Sequence, residues 1–464
     1  MHSGLDREQR AEIKADERMK EYAHRLMTIA MEKGCGGAEV CINEADEFSV
    51  GVLEGEVDDY TVSSSFGLGI RVQKDGKNGY AYTEAMDDPE GFVEEAIDNA
   101  ETVRSEDIHP MAEPAEYPEI PKKDDALKDM DESEKIELCR ALERETKRCD
   151  GRVKRVACCK VVTAGGRFCI YNTLGLRAER SDRVSCCYVE PVLEENGQMR
   201  DGFAFRADGK ALDIAGCARE AVDEAIAAMD PAPVAPGRYD IILRNDAMAS
   251  ILGAFAGMFS ADATQKGLSP LNGREGERIA AESVTLIDDP LYPINPSPFD
   301  DEGTPSIAKA VIKDGRLMTL LHNLKTAKKA GVSSTSNGGR SSAGSPVGVK
   351  ITNFYIAPKE GTLAQLIGEL GDGLLITDFS GLHAGVNPVS GKFSVLCRGR
   401  LIKGGRDVRA VNEITLSGDF TELLGSIARV GGDLRFSMPG GSCVGSPSVT
   451  VRGAVISGRD ERAQ

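Results

Sequence analysis

Apolar and polar residues alternate in the first part of the chain in a way that predicts helices and short strands. Apolar residues recur at helical spacing over residues 5–33, and Gly34 is suited to end that helix. A second helix is predicted over 88–103, with Pro89 near its start. Between these helices, strand-like alternation covers four runs: 38–43, 48–57, 66–73 and 80–83.

The same order of elements recurs further along the chain. The predicted elements are helices near 131–148 and 210–229 and strands around 153–190 and 202–206. Each half also ends its strands with a related motif, Gly-Tyr-Ala-Tyr at 79–82 and Gly-Phe-Ala-Phe at 202–205. A duplicated unit would explain this match, and so would chance similarity between amphipathic strands.

Proline-rich stretches mark the connections. Residues 108–121 hold four prolines among acidic residues and are predicted to be an exposed connection. Residues 230–237 hold three prolines and a glycine, which predicts a domain boundary. Beyond it, strands are predicted near 239–243, 310–313, 351–356, 374–379, 393–403 and 407–416. We therefore expect an α+β protein with an N-terminal α/β domain (1–230) and a β-rich C-terminal domain (238–458).

Composition and charge limit the partners of this chain. It has 464 residues, 41% of them hydrophobic, and a net charge of −18. Nucleic-acid backbones and anionic membranes recruit clustered cations, so neither is an expected partner. The first residues lack the pattern of a secretory signal, and no run approaches the roughly 18 apolar residues of a membrane span. We expect a cytoplasmic protein.

The twelve cysteines do not suggest disulfides. Cys158–Cys159 and Cys186–Cys187 are vicinal pairs inside apolar, strand-like runs, and no Cys-x-x-Cys occurs. Reduced, buried thiols are the expectation for a cytoplasmic chain of this length.

The histidines do not form a zinc motif. The chain has five: His2, His24, His109, His322 and His383. None has a neighbouring glutamate, whereas a His-Glu-x-x-His helix needs two histidines on one face. A phosphate loop is missing too, because the Gly/Ser-rich stretch 333–348 lacks the closing lysine and Arg340 does not replace it. We interpret that stretch as a flexible or peptide-contacting loop and expect no metal in this chain.

Residues 441–445 have the Gly-x-nucleophile-x-Gly form of a nucleophile elbow, with Cys443 at its centre. An elbow must lead from a strand into a helix, yet Pro447 and a strand-like run follow. No catalytic residue is expected on this basis. Cys443 remains a candidate nucleophile or metal ligand with His383 or His322 as its imidazole partner, or else a small residue packed at a turn.

Three adjacent carboxylates, Asp300, Asp301 and Glu302, precede Gly303. They could bind a cation or a peptide amine, or they could cap the turn that follows. Clustered acids usually stay hydrated, so the pattern by itself favours a solvated turn.

Taken together, four segments of the second half resemble the TldD/PmbA family in order and spacing. They are 298–305, 312–317, 327–335 and 381–391. The most specific reads Gly-Leu-His-Ala-Gly-Val-Asn-Pro-Val-Ser-Gly, and the next reads Pro-Phe-Asp-Asp-Glu-Gly-Thr-Pro. The resemblance covers 238–456 well and the N-terminal half in layout only. The family's older label, modulator of DNA gyrase, fits an acidic chain only as an indirect effect of peptide degradation.

The resemblance implies an N-terminal α/β domain, a barrel-like C-terminal domain and a dimer that encloses a cleft for unfolded peptides. In the family's TldD type, a His-Glu-x-x-x-His helix and a cysteine near the C terminus bind zinc. The PmbA type, also called TldE, lacks the histidines and pairs with TldD. Here Leu252, Gly253 and Gly257 stand roughly where His, Glu and His would be. Only Cys443 of the three ligands remains, and a catalytic zinc site takes three.

The first hypothesis is therefore a PmbA/TldE-like subunit that holds an extended peptide by strand addition for a zinc-bearing, TldD-like partner. Its candidate substrate-binding residues are Asp301, Glu302, Gly385 and Asn387, with the 333–348 loop, and it needs no cofactor of its own. The second hypothesis is a stand-alone peptidase that uses Cys443. The third is a non-catalytic, homodimeric peptide-binding protein.

Overall fold

The N-terminal region folds around one antiparallel sheet. The computed structural model describes residues 7–104, 109–121 and 123–459, with side chains from residue 14. The elements of this region run α1 (Arg7–Glu32), β1 (Gly37–Leu53), β2 (Glu56–Lys74), β3 (Lys77–Thr83), α2 (Pro89–Thr102), α3 (Glu132–Cys149), β4 (Val153–Asn172), β5 (Arg177–Glu195), β6 (Gln198–Asp201), β7 (Ala204–Ala207) and α4 (Ile214–Ala227). The first two residues of the helix predicted over 5–33 lie outside the described residues.

This sheet forms a half-barrel with helices on one face. Its strand order is β3-β2-β1-β4-β5-β6, and β7 also pairs with β5. Apolar residues of α1 and α2 pack on one end of the sheet, and those of α3 and α4 pack on the other end. The opposite face carries Glu39, Arg71 and Arg180, which face the C-terminal region. Helices therefore cover one face of the half-barrel, and the other face contacts the C-terminal region.

The strands are longer than the sequence predicted. The separate runs 38–43 and 48–57 fall largely in one strand, β1, and only the last four residues of the second run lie in the turn and in β2. Asp46 and Glu47, between the runs, are exposed because this part of the strand lies between the two pairs of covering helices. The break in alternation therefore marks a gap in the helical layer and not a gap in the strand.

The two halves of the N-terminal region repeat one local geometry. Gly79 on β3 and Gly202 before β7 open the two related tetrapeptides noted above. An added Cβ at Gly79 would lie 1.8 Å from the carbonyl oxygen of Ala96 in α2. At Gly202 it would lie 2.0 Å from the carbonyl oxygen of Ala221 in α4. In both halves a glycine thus lets a strand touch the backbone of the helix that follows.

The C-terminal region is rich in strands. Its elements run β8 (Gly237–Leu243), α5 (Asn245–Phe255), a short 3-10 helix (Ala256–Phe259), α6 (Ala261–Gln265), β9 (Leu286–Asp288), β10 (Lys309–Lys313), β11 (Arg316–Leu317), α7 (Leu324–Ala330), β12 (Gly338–Gly339), β13 (Gly348–Val349), β14 (Asn353–Ile356), α8 (Leu363–Leu370), β15 (Gly373–Ser380), α9 (Leu382–Gly385), β16 (Val386–Asn387), β17 (Lys392–Lys403), β18 (Arg406–Asp419), α10 (Phe420–Gly425), β19 (Ile427–Val430), β20 (Arg435–Phe436), β21 (Cys443–Ser446) and β22 (Val449–Ser457).

Five of these strands close into a barrel. The order is β15-β8-β22-β18-β17, and β17 pairs back to β15. Helix α5 packs on its core, where the ring of Phe255 stacks on Phe420 at 4.4 Å and meets Phe393 edge-on at 6.1 Å. A second sheet runs β11-β10-β9-β14-β21-β20. The predicted α+β class with a barrel-like C-terminal domain is confirmed.

Two further properties follow from the described residues. None of their helices is long and apolar enough to cross a membrane. All twelve cysteines are unpaired, and Cys159, Cys186 and Cys187 are buried. The expected buried thiols are therefore present.

Candidate functional site

A cleft lies between the two regions of the molecule. It has a volume of about 950 Å³. One wall is formed by β6, β7 and α4 of the N-terminal region. The facing wall is formed by the first turns of α5, by barrel strands β15, β17 and β18, and by the segment from β20 to β21. The size and the interdomain position are those of a ligand site.

Helix α5 presents a small, polar face to the cleft. Asp246, Ala249, Ser250 and Gly253 line the cleft, and their spacing of three and four residues places them on one side of a helix. The opposite face, which includes Leu252, is buried in the barrel core. A Cβ on Gly253 would lie 3.5 Å from Cγ2 of Val444, which also lines the cleft. The amphipathic pattern of α5 thus decides which residues a ligand could meet.

Arg244 ties the two walls of the cleft together. Its guanidinium donates to both carboxylate oxygens of Asp246, at 2.8 and 2.6 Å, and to Glu224 of α4 at 2.6 Å. Burial alone would lower the pKa of Arg244, but the two carboxylates hold that pKa above its usual value. Arg435 makes a similar link, at 2.5 Å from Glu220 of α4. Both arginines therefore fix the width of the cleft.

Strands β15, β17 and β18 add further ion pairs. Arg398 lies 3.0 Å from Asp378 and 3.3 Å from Asp201 of β6. Arg400 donates to both oxygens of Asp407 at 2.8 Å. Burial raises the pKa of Asp378, and Arg398 opposes that rise. Most charged residues that line the cleft are thus paired with one another.

Leu252 and Gly257, which the resemblance places roughly where the TldD type has its two histidines, offer no zinc ligand. Leu252 is buried among apolar side chains, and Gly253 and Gly257 have no side chain. The residues at these positions do not fit a zinc ion. Across the described ranges, no group of three or more His, Cys, Asp or Glu side chains is placed to hold a metal.

Cys443 is the first residue of β21, and its side chain is packed in the interior. Its side chain is buried with Tyr355 and Phe436, and its N–H donates to the carbonyl of Thr352 at 3.0 Å. Burial raises the pKa of this thiol, which disfavours the thiolate. Strand β22 follows β21, so no helix forms an elbow there, as the sequence predicted.

The histidines do not complete a site with Cys443. His383 lies exposed in α9, whereas His322 is buried next to the α7 segment. Neither histidine nor Cys443 lines the cleft. His2 lies outside the described residues.

Gly385 and Asn387 shape a tight turn at the rim of the barrel. An added Cβ on Gly385 would lie 2.5 Å from the carbonyl oxygen of Ser394 in β17. The side-chain oxygen of Asn387 accepts the N–H groups of Val389 and Ser390, at 3.0 and 3.2 Å. The most specific segment of the sequence therefore builds local structure, and neither residue lines the cleft.

Asp300, Asp301 and Glu302 are buried where the two regions contact each other, and we call this contact the joint. The solvated turn predicted for these residues is therefore wrong. Asp301 pairs with Lys350 at 2.9 Å and contacts Arg180 of β5. Glu302 is 1% exposed and accepts the N–H of Leu324 at 2.8 Å. Arg180 and Lys350 thus pair with the buried Asp301, whereas Asp300 and Glu302 accept backbone N–H groups. The substrate-binding role of Asp301 and Glu302 stays a prediction, and neither residue lines the cleft.

His109 enters the same joint, so the exposed connection predicted over 108–121 is wrong at this residue. His109 is 3% exposed, and its ring nitrogen Nε2 contacts Oε1 of Glu302. Its carbonyl accepts a hydrogen bond from Arg71 of β2 at 3.0 Å. Burial raises the pKa of Glu302 to about 8 and lowers that of His109 to about 3. The pair therefore retains a proton at neutral pH.

Arg340 links the 333–348 loop to the half-barrel. Its guanidinium contacts Glu39 of β1, which also pairs with Arg71 at 2.9 Å. Its backbone N–H donates to Asp301 at 2.8 Å. The interpretation of this loop as flexible or peptide-contacting is wrong at Arg340, which is buried against the N-terminal region.

Most residues that line the cleft were not predicted as site residues from the sequence. Arg244, Glu224 and Phe203 received no role, although Phe203 and Phe205 lie in a motif noted only as a possible repeat. A usable signal was present: two aromatic residues flank Ala204 and so occupy the strand face opposite the one that the helices cover. The pairs that cross the cleft, Arg244–Glu224, Arg435–Glu220 and Arg398–Asp201, gave no local signal, since their partners come from different regions.

Comparison with known proteins identifies the family. Residues 38–100, 125–229 and 236–458 match domain 1, the central domain and the C-terminal domain of the PmbA/TldA metallopeptidases. A metalloprotease of Archaeoglobus fulgidus is 30% identical, over 86% of this chain and 95% of its own length. Metalloprotease PmbA of Escherichia coli O157:H7 is 25% identical, over 91% and 94%.

Solved structures agree with this assignment. A candidate modulator of DNA gyrase from Thermotoga maritima superposes with a TM-score of 0.87 at 30% identity, over 95% of this chain and all (100%) of the other. TldE from Thermococcus kodakarensis superposes with a TM-score of 0.86 at 24% identity, over 94% and 100%, and shares the fold. The resemblance seen in the sequence is confirmed, and the chain belongs to the PmbA/TldD metallopeptidase family.

Proposed function

We propose that this chain is the PmbA/TldE-like subunit of a cytoplasmic TldD/PmbA-type metallopeptidase that acts on unfolded peptides, and that its partner supplies the zinc. The observation that carries the proposal is the cleft-facing side of α5. There, Asp246, Ala249, Ser250 and Gly253 line a cleft, in a family named for metallopeptidases, without a histidine among them. Twelve unpaired cysteines suit the reducing cytoplasm.

Sheet edges at the cleft support binding of an extended peptide. In the described residues β7 pairs only with β5, and β20 pairs only with β21. Residues of both strands line the cleft, so edge N–H and C=O groups lie near a ligand there. Strand addition recognises the peptide backbone and therefore tolerates many sequences.

The test is reconstitution with a TldD-like homologue that carries a His-Glu-x-x-x-His helix. The two chains are co-expressed, and cleavage of an unstructured peptide is followed by mass spectrometry with and without a chelator. We expect no cleavage by this chain alone and chelator-sensitive cleavage by the co-purified pair. Chelator-sensitive cleavage by this chain alone would refute the proposal. Chelator-insensitive cleavage that is lost in Cys443→Ala would establish the cysteine peptidase instead.

A matched pair of glycine variants tests whether this cleft takes part. Gly253→Leu adds a side chain beside Val444 in the cleft, and Gly257→Leu adds one where no atom lies within 4 Å. We expect Gly253→Leu to reduce cleavage by the assembled pair and Gly257→Leu to leave it unchanged. Equal activity of both variants would place the peptide elsewhere. A light-scattering mass of two copies, unchanged by the TldD-like chain, would favour the homodimeric binding protein.

A further inference from the structure

Three exposed, large apolar side chains line the same cleft. Met199 and Phe203 lie on the N-terminal wall and are 53% and 45% exposed. Met438 lies on the C-terminal wall and is 41% exposed. Apolar side chains that converge on one cleft with a polar rim are typical of a binding surface.

The aromatic part of this surface is held in place by its own strand. Ala204 is buried beneath α4, so its neighbours Phe203 and Phe205 emerge on the opposite face of the strand. The ring of Phe203 lies 6.1 Å from that of Tyr188 and 6.4 Å from that of Phe205. The guanidinium of Arg435 covers the ring of Phe205 at 5.4 Å. Phe203 is thus a supported side chain whose exposed part faces the cleft.

The charged residues of the lining leave little to recognise a charged ligand. Within the described lining, each carboxylate has an arginine partner; the pairs are Asp201–Arg398, Asp378–Arg398, Glu220–Arg435, Glu224–Arg244, Asp246–Arg244 and Asp407–Arg400. Arg200 donates to the carbonyls of Ala228 and Met199. A charged ligand side chain would compete with the partner already held in one of these pairs, whereas an apolar side chain would displace only water.

We propose that the cleft selects extended peptides with an aromatic or other long apolar side chain, which packs against Phe203, Met199 and Met438. The inference rests on the peptide-binding function proposed above and adds the substrate class to it. Backbone pairing at β7 and β20 would hold the chain of the peptide, and the apolar surface would set its register.

The test is fluorescence anisotropy of the full chain with labelled peptides of glycine, serine and glutamine that differ at one central residue. That residue is Phe, Ala, Asp or Lys. We expect the Phe peptide to bind roughly tenfold or more tightly than the Asp and Lys peptides, because burial of a phenyl ring favours binding. The Ala peptide should fall between these limits.

Substitutions at the apolar surface provide the second arm. Phe203→Ser and Met438→Ser should weaken the Phe peptide by roughly fivefold or more and leave the Ala peptide unchanged. Met318→Ser is the matched control, since Met318 is 53% exposed and does not line the cleft. Equal binding of all four peptides would overturn the selectivity while leaving peptide binding intact. No binding of any peptide would overturn the proposed function itself, and this inference with it.

Discussion

At the scale of single residues, the most unusual feature is the set of buried ionisable groups at the interdomain joint. Glu39, Asp300, Asp301 and Glu302 are withdrawn from water together with Arg71 and Arg340. A buried charge is tolerated only when it is paired and hydrogen-bonded, and removal of one partner is strongly destabilising. The joint is therefore sensitive to the protonation of its members.

The first prediction concerns pH and Glu302. Its pKa in the folded protein, about 8, lies above its ordinary value of 4.5, so the folded state binds the proton more tightly than the unfolded state. The stabilisation of the folded state by this proton is complete below pH 4.5 and is lost as the pH rises through about 8. Burial raises the pKa of Asp300 to about 8 as well, so Asp300 changes the stability in the same direction. The pKa of His109 is lowered from its ordinary value of 6.5, so His109 affects stability in the opposite direction, and only below pH 6.5.

The free energy of unfolding should therefore fall between pH 6.5 and 8. Glu302→Gln keeps an acceptor for Leu324 and a donor for His109 but does not titrate, so its slope should be shallower. Urea unfolding at several pH values measures both slopes. Asp314→Asn, at an exposed hairpin, is the control and should retain the wild-type slope. Parallel curves for Glu302→Gln and wild type would contradict this account.

At the scale of elements, strands and helices meet through glycine. Gly79 and Gly202 occupy equivalent places in the two halves, and in each the following helix lies directly against the strand backbone. The repeated tetrapeptides thus record a repeated contact. The same principle operates in the barrel, where an added Cβ on Gly399 of β17 would lie 2.0 Å from the carbonyl oxygen of Leu375.

The second prediction follows from that contact. Gly79→Ala and Gly202→Ala should each lower the free energy of unfolding by about 1–3 kcal/mol or more, because the methyl group would collide with helix backbone that cannot rotate away. Gly151→Ala, where no atom lies within 4 Å of the added Cβ, is the control. Chemical denaturation measures all three. If Gly79→Ala matched the control, the close approach of β3 to α2 would be refuted.

At the scale of the whole molecule, the half-barrel and the closed barrel are joined at two places. The buried joint runs from Glu39 through Arg340 to Asp301, and the cleft pairs link Arg244 and Arg435 to α4. The cleft lies between regions held by these contacts. Its geometry therefore depends on residues that no ligand would touch.

The third prediction is that the two regions unfold together only while the joint is intact. Wild type should show one calorimetric transition. Arg340→Met leaves the buried Glu39 without one of its two cations and should split the transition or lower its midpoint by several degrees. Arg316→Met, at an exposed position of β11, is the control. A single transition at the wild-type midpoint in Arg340→Met would show that the joint does not couple the regions.

Local patterns determined the class of this fold. Helical spacing predicted α1 to α4, strand alternation predicted most strands of the half-barrel and of the closed barrel, and the segments at 298–305 and 381–391 predicted the family. These features depend on the backbone preference and burial of neighbouring residues, which a sequence displays directly.

Only the tertiary structure decided where polar residues lie and what they meet. It buried Asp301, Glu302 and His109, which local patterns had assigned to solvent. Their partners come from distant parts of the chain: Arg180 contacts Asp301, Arg71 donates to the carbonyl of His109, and His109 contacts Glu302. It also brought Met199, Phe203 and Met438 to one cleft. Burial and pairing of charge depend on contacts between regions, and composition and spacing along one chain do not encode those contacts locally.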